Sequence, residues 1–178
     1  RVATVIEKAL SSHNVNTVFI PHHAPRGTEG DIKLAHNIEH LWPDNRFHLV
    51  DPIPLASSLK ALTVDSQFVV SMRYHQLIFA LSTGIPAVGI YVDDYTEAKL
   101  RGSFEALGLK PLVTSIDEVE KNVAPLVTEA LESRATFEAA ALKIQGNVRT
   151  TSERPYRLLA DAIEAPQPIA PVKEDTQP

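Results

Sequence analysis

Residues 67–91 read QFVVSMRYHQLIFALSTGIPAVGIY, and this stretch decides the architecture. An apolar, β-rich run from Gln67 to Ser71 leads directly into a segment whose apolar residues Leu77, Ile78 and Leu81 recur at helical spacing. Gly84 then stands where a helix needs a residue that tolerates a left-handed backbone, and a second apolar run follows from Ala87 to Tyr91. Two continuous apolar runs joined by a helix, with no polar alternation, are the pattern of neighbouring parallel strands buried on both faces.

The same alternation extends in both directions. Strands are expected at Thr17 to Pro21, Arg46 to Val50, Gln67 to Ser71, Ala87 to Tyr91 and Pro111 to Thr114. Helices are expected at about Asp31 to Trp42, Leu55 to Leu62, Arg73 to Ser82 and Thr96 to Leu107, after an opening helix in Arg1 to Leu10, with Gly108 as a further C-terminal cap. This is an α/β chain with an open, doubly wound parallel sheet. A sheet of order 3-2-1-4-5-6 has a strand before its first helix, at the centre. That first strand is missing here, so Thr17 to Pro21 and Gln67 to Ser71 are expected to flank a vacant slot, and the chain is expected to have been cut from a longer protein. Ser115 and Glu118 have the spacing of a capping box that starts another helix, Pro125 is expected to break or restart it, and helices run to about Glu164. The domain is therefore drawn over residues 1–164, and the proline-rich tail Ala165 to Pro178 is expected to be disordered.

Composition bounds the function. A chain of 178 residues, 44% hydrophobic and 22% charged, suffices for one buried core. The net charge of -5 argues against a nucleic-acid partner, which requires a field of Lys and Arg, so an anionic ligand needs a local basic cluster. There is no cysteine, which excludes disulfides and thiolate chemistry and permits a cytoplasmic setting. The apolar stretch Phe68 to Tyr91 is interrupted by Arg73, His75 and Gln76 and does not read as a membrane span. No signal peptide is read at the start.

The chemistry concentrates at the end of the third strand. Ser71 is placed to cap the next helix, whose first turn carries Arg73, Tyr74 and His75. Open sheets bind ligands outside the carboxyl ends of their strands, beside the switch point. An anion is expected on the backbone N–H groups of residues 72–75, with the Arg73 guanidinium as a planar fork for carboxylate or phosphate. The opposing reading pairs Arg73 with a nearby carboxylate and makes His75 an interior histidine. The loop Tyr91-Val92-Asp93-Asp94-Tyr95, followed by Lys99 and Arg101, comes after the next strand and admits two readings: Lys99 holding a phosphate with Asp93 or Asp94 accepting a hydroxyl, or a capped, solvated helix start. His22 and His23 follow the first strand on the same edge, one as a ligand contact or both solvated. His36, Glu39 and His40 imitate a zinc-protease motif, but the apolar face Ile32, Ala35, Ile38, Leu41 and Trp42 turns both histidines outward, and no metal site is assigned. Dinucleotide, NTPase and serine-hydrolase motifs are absent.

The run Ser71-Met72-Arg73-Tyr74-His75-Gln76-Leu77-Ile78-Phe79-Ala80, with Gly84-Ile85-Pro86 and Tyr95-Thr96-Glu97-Ala98-Lys99-Leu100-Arg101-Gly102, resembles the polysaccharide pyruvyl transferase family, over a region from about Arg1 to Leu159. The resemblance implies the C-terminal, Rossmann-like half of a two-domain GT-B-like enzyme. It further implies transfer of a pyruvyl group from phosphoenolpyruvate to hydroxyls of a sugar in a cell-surface or exopolysaccharide, forming a ketal without a cofactor or metal. By position, Arg73 and His75 would bind the donor's carboxylate and phosphate, His75 would act as general acid, and Lys99 would be a third member of the site. The partner domain on the N-terminal side would complete the cleft, so this segment alone would be inactive. Other readings are a glycosyltransferase or sugar-nucleotide epimerase half-domain and a non-catalytic glycan- or partner-binding protein.

Overall fold

The computed structural model describes residues 2–11, 13–23, 30–43, 45–53 and 55–146. Arg1–Ile144 group into one compact unit. The expected helices beyond residue 146, the boundary at 164 and the tail from 165 lie outside the described residues. Element order is α1 (Val2–Ser11), β1 (Thr17–Phe19), α2 (Gly30–Ile38), a 3-10 turn (Glu39–Leu41), β2 (Phe47–Leu49), α3 (Ala56–Val64), β3 (Val69–Ser71), α4 (Tyr74–Thr83), β4 (Ala87–Tyr91), α5 (Asp94–Glu105), β5 (Val113–Ser115) and α6 (Val119–Glu132). Residues 134–146 are also helical and are termed α7.

Among the described residues all strand pairs are parallel, and they form two sheets, β1-β2 and β3-β4-β5. The order β2-β1 with β3-β4-β5 is what a 3-2-1-4-5-6 sheet has on the two sides of its central strand. Among the described residues β1 and β3 are not paired with each other, so the two sheets stay separate.

The two halves are packed very differently. Ala87, Val88 and Ile90 of β4 are fully buried, between helices on both faces that supply Leu77, Ala80, Leu81, Leu100, Phe104, Val119, Val123 and Val127. A side chain at Gly89 would bring its Cβ to 3.1 Å from both Leu100 Cδ1 and Val113 Cγ1, so glycine here permits α5 to lie close on the strand. Gly84 ends α4 at φ 78°, as its position indicates. Around β1-β2 the burial is shallower: Val18 is half-exposed, and Phe19, Phe47 and Trp42 form a small ring cluster at centroid distances of 5.9 and 5.0 Å. Ala35 on α2 is buried, and His36 on α2 and His40 in the 3-10 turn are exposed, as the apolar face requires.

Two local expectations need correction. Pro125 neither breaks nor restarts a helix but lies inside α6. The missing N–H falls on the exposed face, where water can take the freed carbonyl, while Val119, Val123, Val127 and Ala130 hold the opposite face in the core against a cost of about 3 kcal/mol. The Ser115–Glu118 pair makes only half a capping box: Ser115 Oγ accepts from the Glu118 N–H at 3.2 Å, closing a turn, and α6 begins one residue later at Val119.

Candidate active site

β3 ends at Ser71, whose hydroxyl shapes the turn into α4. Ser71 Oγ accepts from the Arg73 N–H at 2.9 Å and donates to the Arg73 carbonyl at 3.1 Å. Ser71 is therefore not the helix cap it resembles. Two residues are consumed in this turn, Arg73 becomes the N-cap of α4 with an extended backbone, and no side chain caps the helix. The N–H groups without an intrahelical partner belong to Tyr74, His75 and Gln76, which moves the expected anion-binding amides from residues 72–75 to residues 74–76.

The side chains at this start come from three separate segments. Arg73 is half-exposed and places one terminal nitrogen 2.8 Å from Asp31 Oδ1, at the start of α2. Asp31 Oδ2 accepts from the backbone N–H groups of both His22 and His23 at 3.0 Å. One carboxylate thus ties the loop after β1 to the helix start after β3, between the two sheets. Lys99, on α5, lies 4.2 Å from the centroid of the Tyr95 ring and 5.5 Å from that of Tyr74. The Tyr74 ring meets the His75 ring edge-on at 5.5 Å. His75 is exposed, which excludes the interior-histidine reading, whereas the carboxylate partner foreseen for Arg73 does exist.

His22 is half-buried, with Nε2 3.1 Å from Gln76 Oε1. Gln76 in turn donates to Thr63 Oγ1 at 2.8 Å, and Thr63 Oγ1 donates to the Leu59 carbonyl at 2.8 Å. Burial pushes the His22 pKa down; the Gln76 bond and the Asp31 charge oppose this, Arg73 and His75 reinforce it, and the net shift is downward. Asp31 is pushed up by burial, but its bonds from His22, Arg73 and His23 outweigh that and hold it below the usual carboxylate value.

Of the residues singled out in the sequence, Ser71, Arg73, Tyr74, His75, Lys99 and His22 converge here. Arg101 does not: its Nε bonds Glu97 at 2.6 Å one turn away on α5, and Tyr91 is its other partner. Asp93 caps α5 by accepting from the Thr96 N–H at 2.7 Å, and Asp94 stands exposed beside it. The loop after β4 is thus a capped, solvated helix start at Asp93 and Asp94, and a contributor to the cluster at Lys99. Asp31, Gln76 and Thr63 escape the sequence reading, because their bonds reach across 42, 54 and 13 residues. One signal exists: Gln76 shares the buried face of α4 with Leu77 and Ala80, and a polar side chain there requires a partner.

The lowered pKa of Asp31 gives a pH prediction. A carboxylate whose folded-state pKa is depressed contributes stability that is fully present above the unfolded value of about 4 and is lost as pH falls through the folded value. The stability gap between wild type and Asp31→Asn, measured by urea unfolding, is expected to be open at pH 7 and to close as the pH drops below about 4. A gap independent of pH would show that the charge of Asp31 contributes nothing.

Fold and site together define a parallel-sheet α/β protein that presents cationic side chains and uncapped helix amides where β3 runs into α4. Residues 2–94, just over half of the chain, match the profile of the polysaccharide pyruvyl transferase family. The chain belongs to that family. The matched span contains His22, Asp31, Ser71, Arg73, Tyr74, His75 and Asp94 and ends before Lys99 and Arg101. No curated protein and no solved structure matches the chain. No helix among the described residues is long and apolar enough to cross a membrane.

Proposed function

We propose that this protein acts in the transfer of a pyruvyl group from phosphoenolpyruvate to two hydroxyls of a sugar residue in a cell-surface or exopolysaccharide, forming a pyruvate ketal. The observation that carries this reading is the start of α4, where Arg73, Tyr74 and His75 surround uncapped amides and Lys99 reaches in over Tyr74. Phosphoenolpyruvate carries a carboxylate and a phosphate, and the site offers distinct cations for the two.

Magnitudes favour a site built from side chains rather than from the helix alone. The dipole at an exposed helix start contributes about 0.3 to 1 kcal/mol, whereas millimolar to micromolar binding needs about 4 to 8 kcal/mol. Two or three charge-assisted hydrogen bonds, at about 1.5 to 3 kcal/mol each, close that gap. Arg73 supplies one planar donor edge while Asp31 holds the other terminal nitrogen, which fixes the plane of the fork. Lys99 supplies a point charge suited to phosphate.

The chemistry then assigns roles. The donor's methylene carbon must take a proton, a cationic centre must form at C2, and phosphate must depart, so an acid is wanted close to fixed positive charge. His75 is the acid in this reading, and no cofactor is required. A second domain, closing over the carboxyl edge of the sheet, would orient the saccharide, and a cytoplasmic setting belongs to the same reading. Phosphoenolpyruvate added to the full-length protein is expected to raise its melting temperature by a few degrees, and UDP to leave it unchanged. A shift with UDP alone would transfer the site to nucleotide-sugar chemistry, and no shift with either would remove the donor site from this edge.

A further inference from the structure

The hydrogen-bond chain behind His22 has a direction, and the direction fixes a tautomer. Thr63 Oγ1 carries one hydrogen, which goes to the Leu59 carbonyl, so towards Gln76 it acts as acceptor. The Gln76 amide nitrogen therefore faces Thr63, and its carbonyl oxygen, an atom that only accepts, faces His22 Nε2. The hydrogen on the ring must be on Nε2, which leaves the lone pair of the neutral imidazole on Nδ1. Gln76 and Thr63 are buried, so water does not compete for this arrangement. The charged and titratable groups around His22 are Asp31 on α2 and Arg73 and His75 at the start of α4; burial, reinforced by Arg73 and His75, outweighs the Gln76 bond and the Asp31 charge, and the ring's pKa lies below its ordinary value.

We propose that His22 is the proton acceptor for the attacking sugar hydroxyl, with Gln76 and Thr63 as positioning residues that hold its lone pair on Nδ1. The inference rests on the pyruvyl-transfer reading above and adds to it the base that the reading lacks. Two imidazoles meet at the first turn of α4 in different states: His75 exposed, and His22 half-buried and tautomer-locked. Addition to the donor needs both. As the sugar oxygen bonds to C2 of phosphoenolpyruvate, its proton passes to His22 Nδ1, while the C2–C3 π pair takes a proton from His75. When the C2–O bond to phosphate breaks, the leaving phosphate takes the proton from His22. The second hydroxyl bonds to C2 and gives its proton to His75. Two hydroxyl protons have then ended on the methyl group and on phosphate, and both rings return to their starting states.

Three measurements test this. In histidine-labelled protein, nitrogen-15 spectra above pH 7 are expected to show His22 with hydrogen on Nε2, and Gln76→Met is expected to convert it to a tautomer mixture with little change in melting temperature. In the full-length enzyme, His22→Gln is expected to lower turnover by about 100-fold or more with an unchanged KM for phosphoenolpyruvate, and to abolish the acid limb of the pH–rate profile. Gln76→Glu places a carboxylate against Nε2 and is expected to shift that limb upward by about one pH unit. A wild-type His22 protonated on Nδ1, or a His22→Gln variant within threefold of wild-type turnover, overturns the assignment while leaving pyruvyl transfer intact. A wild-type enzyme that consumes no phosphoenolpyruvate in the presence of acceptor instead overturns the pyruvyl reading, and with it the sugar hydroxyl as the proton's source.

Discussion

Substitution of His75 by Gln in the full-length enzyme is expected to lower turnover by about 100- to 10,000-fold, the usual consequence of losing a general acid. Gln retains a polar side chain of similar reach but carries no proton that it can give to carbon. Because His75 is exposed and its ring contact is an edge-on approach to Tyr74, stability should change by no more than about 0.5 kcal/mol. Affinity for phosphoenolpyruvate should weaken far less than turnover, since Arg73, Lys99 and the amides of residues 74–76 remain. Melting temperature, donor affinity and turnover measured on one preparation decide the point. A stable variant with full turnover would remove His75 from the mechanism, and equal losses in affinity and turnover would make it a binding residue only.

Legibility in the sequence tracks the range of the interactions. β4 is legible with its observed limits, because Ala87 to Tyr91 is paired on both sides and buried along nearly its whole length. Strands with one partner are shorter than their apolar runs. Gln67 and Phe68 precede β3 because the partner strand begins only after Pro86, which offers a carbonyl to the Val69 N–H but has no N–H to return. Pro21 likewise cannot extend the donor row of β1, and Pro111 cannot begin that of β5. The helix start after β3 is legible as a cluster of polar side chains but not in register, because whether Ser71 caps the helix or closes a turn before it depends on the path of the backbone. Asp31 is illegible as a site residue for a different reason. An acid in the first turn of a helix is ordinary, and only the folded chain brings it to Arg73.

The second large effect concerns Leu77, two residues from His75 on the same helix and opposite to it in every physical respect. Leu77 is fully buried in the core cluster with Val88, Ile90, Leu100 and Phe104, and its N–H closes the first turn of α4 by donating to the Arg73 carbonyl at 3.2 Å. Truncation to Ala removes its packed methyl groups and leaves a cavity that β4 and α5, themselves buried, have little freedom to fill, so Leu77→Ala is expected to cost about 2 to 5 kcal/mol. For a unit of this size that is a fall in melting temperature of roughly 5 to 15 °C. Turnover per folded molecule should drop by less than about tenfold, because the amides, Arg73 and His75 remain anchored at the other end of the turn by Ser71 and Asp31. The two variants therefore separate architecture from chemistry within a single helical turn. If Leu77→Ala proved as inactive per folded molecule as His75→Gln, the first turn of α4 would owe its geometry to the core beneath it rather than to the Ser71 turn and the Asp31 bridge.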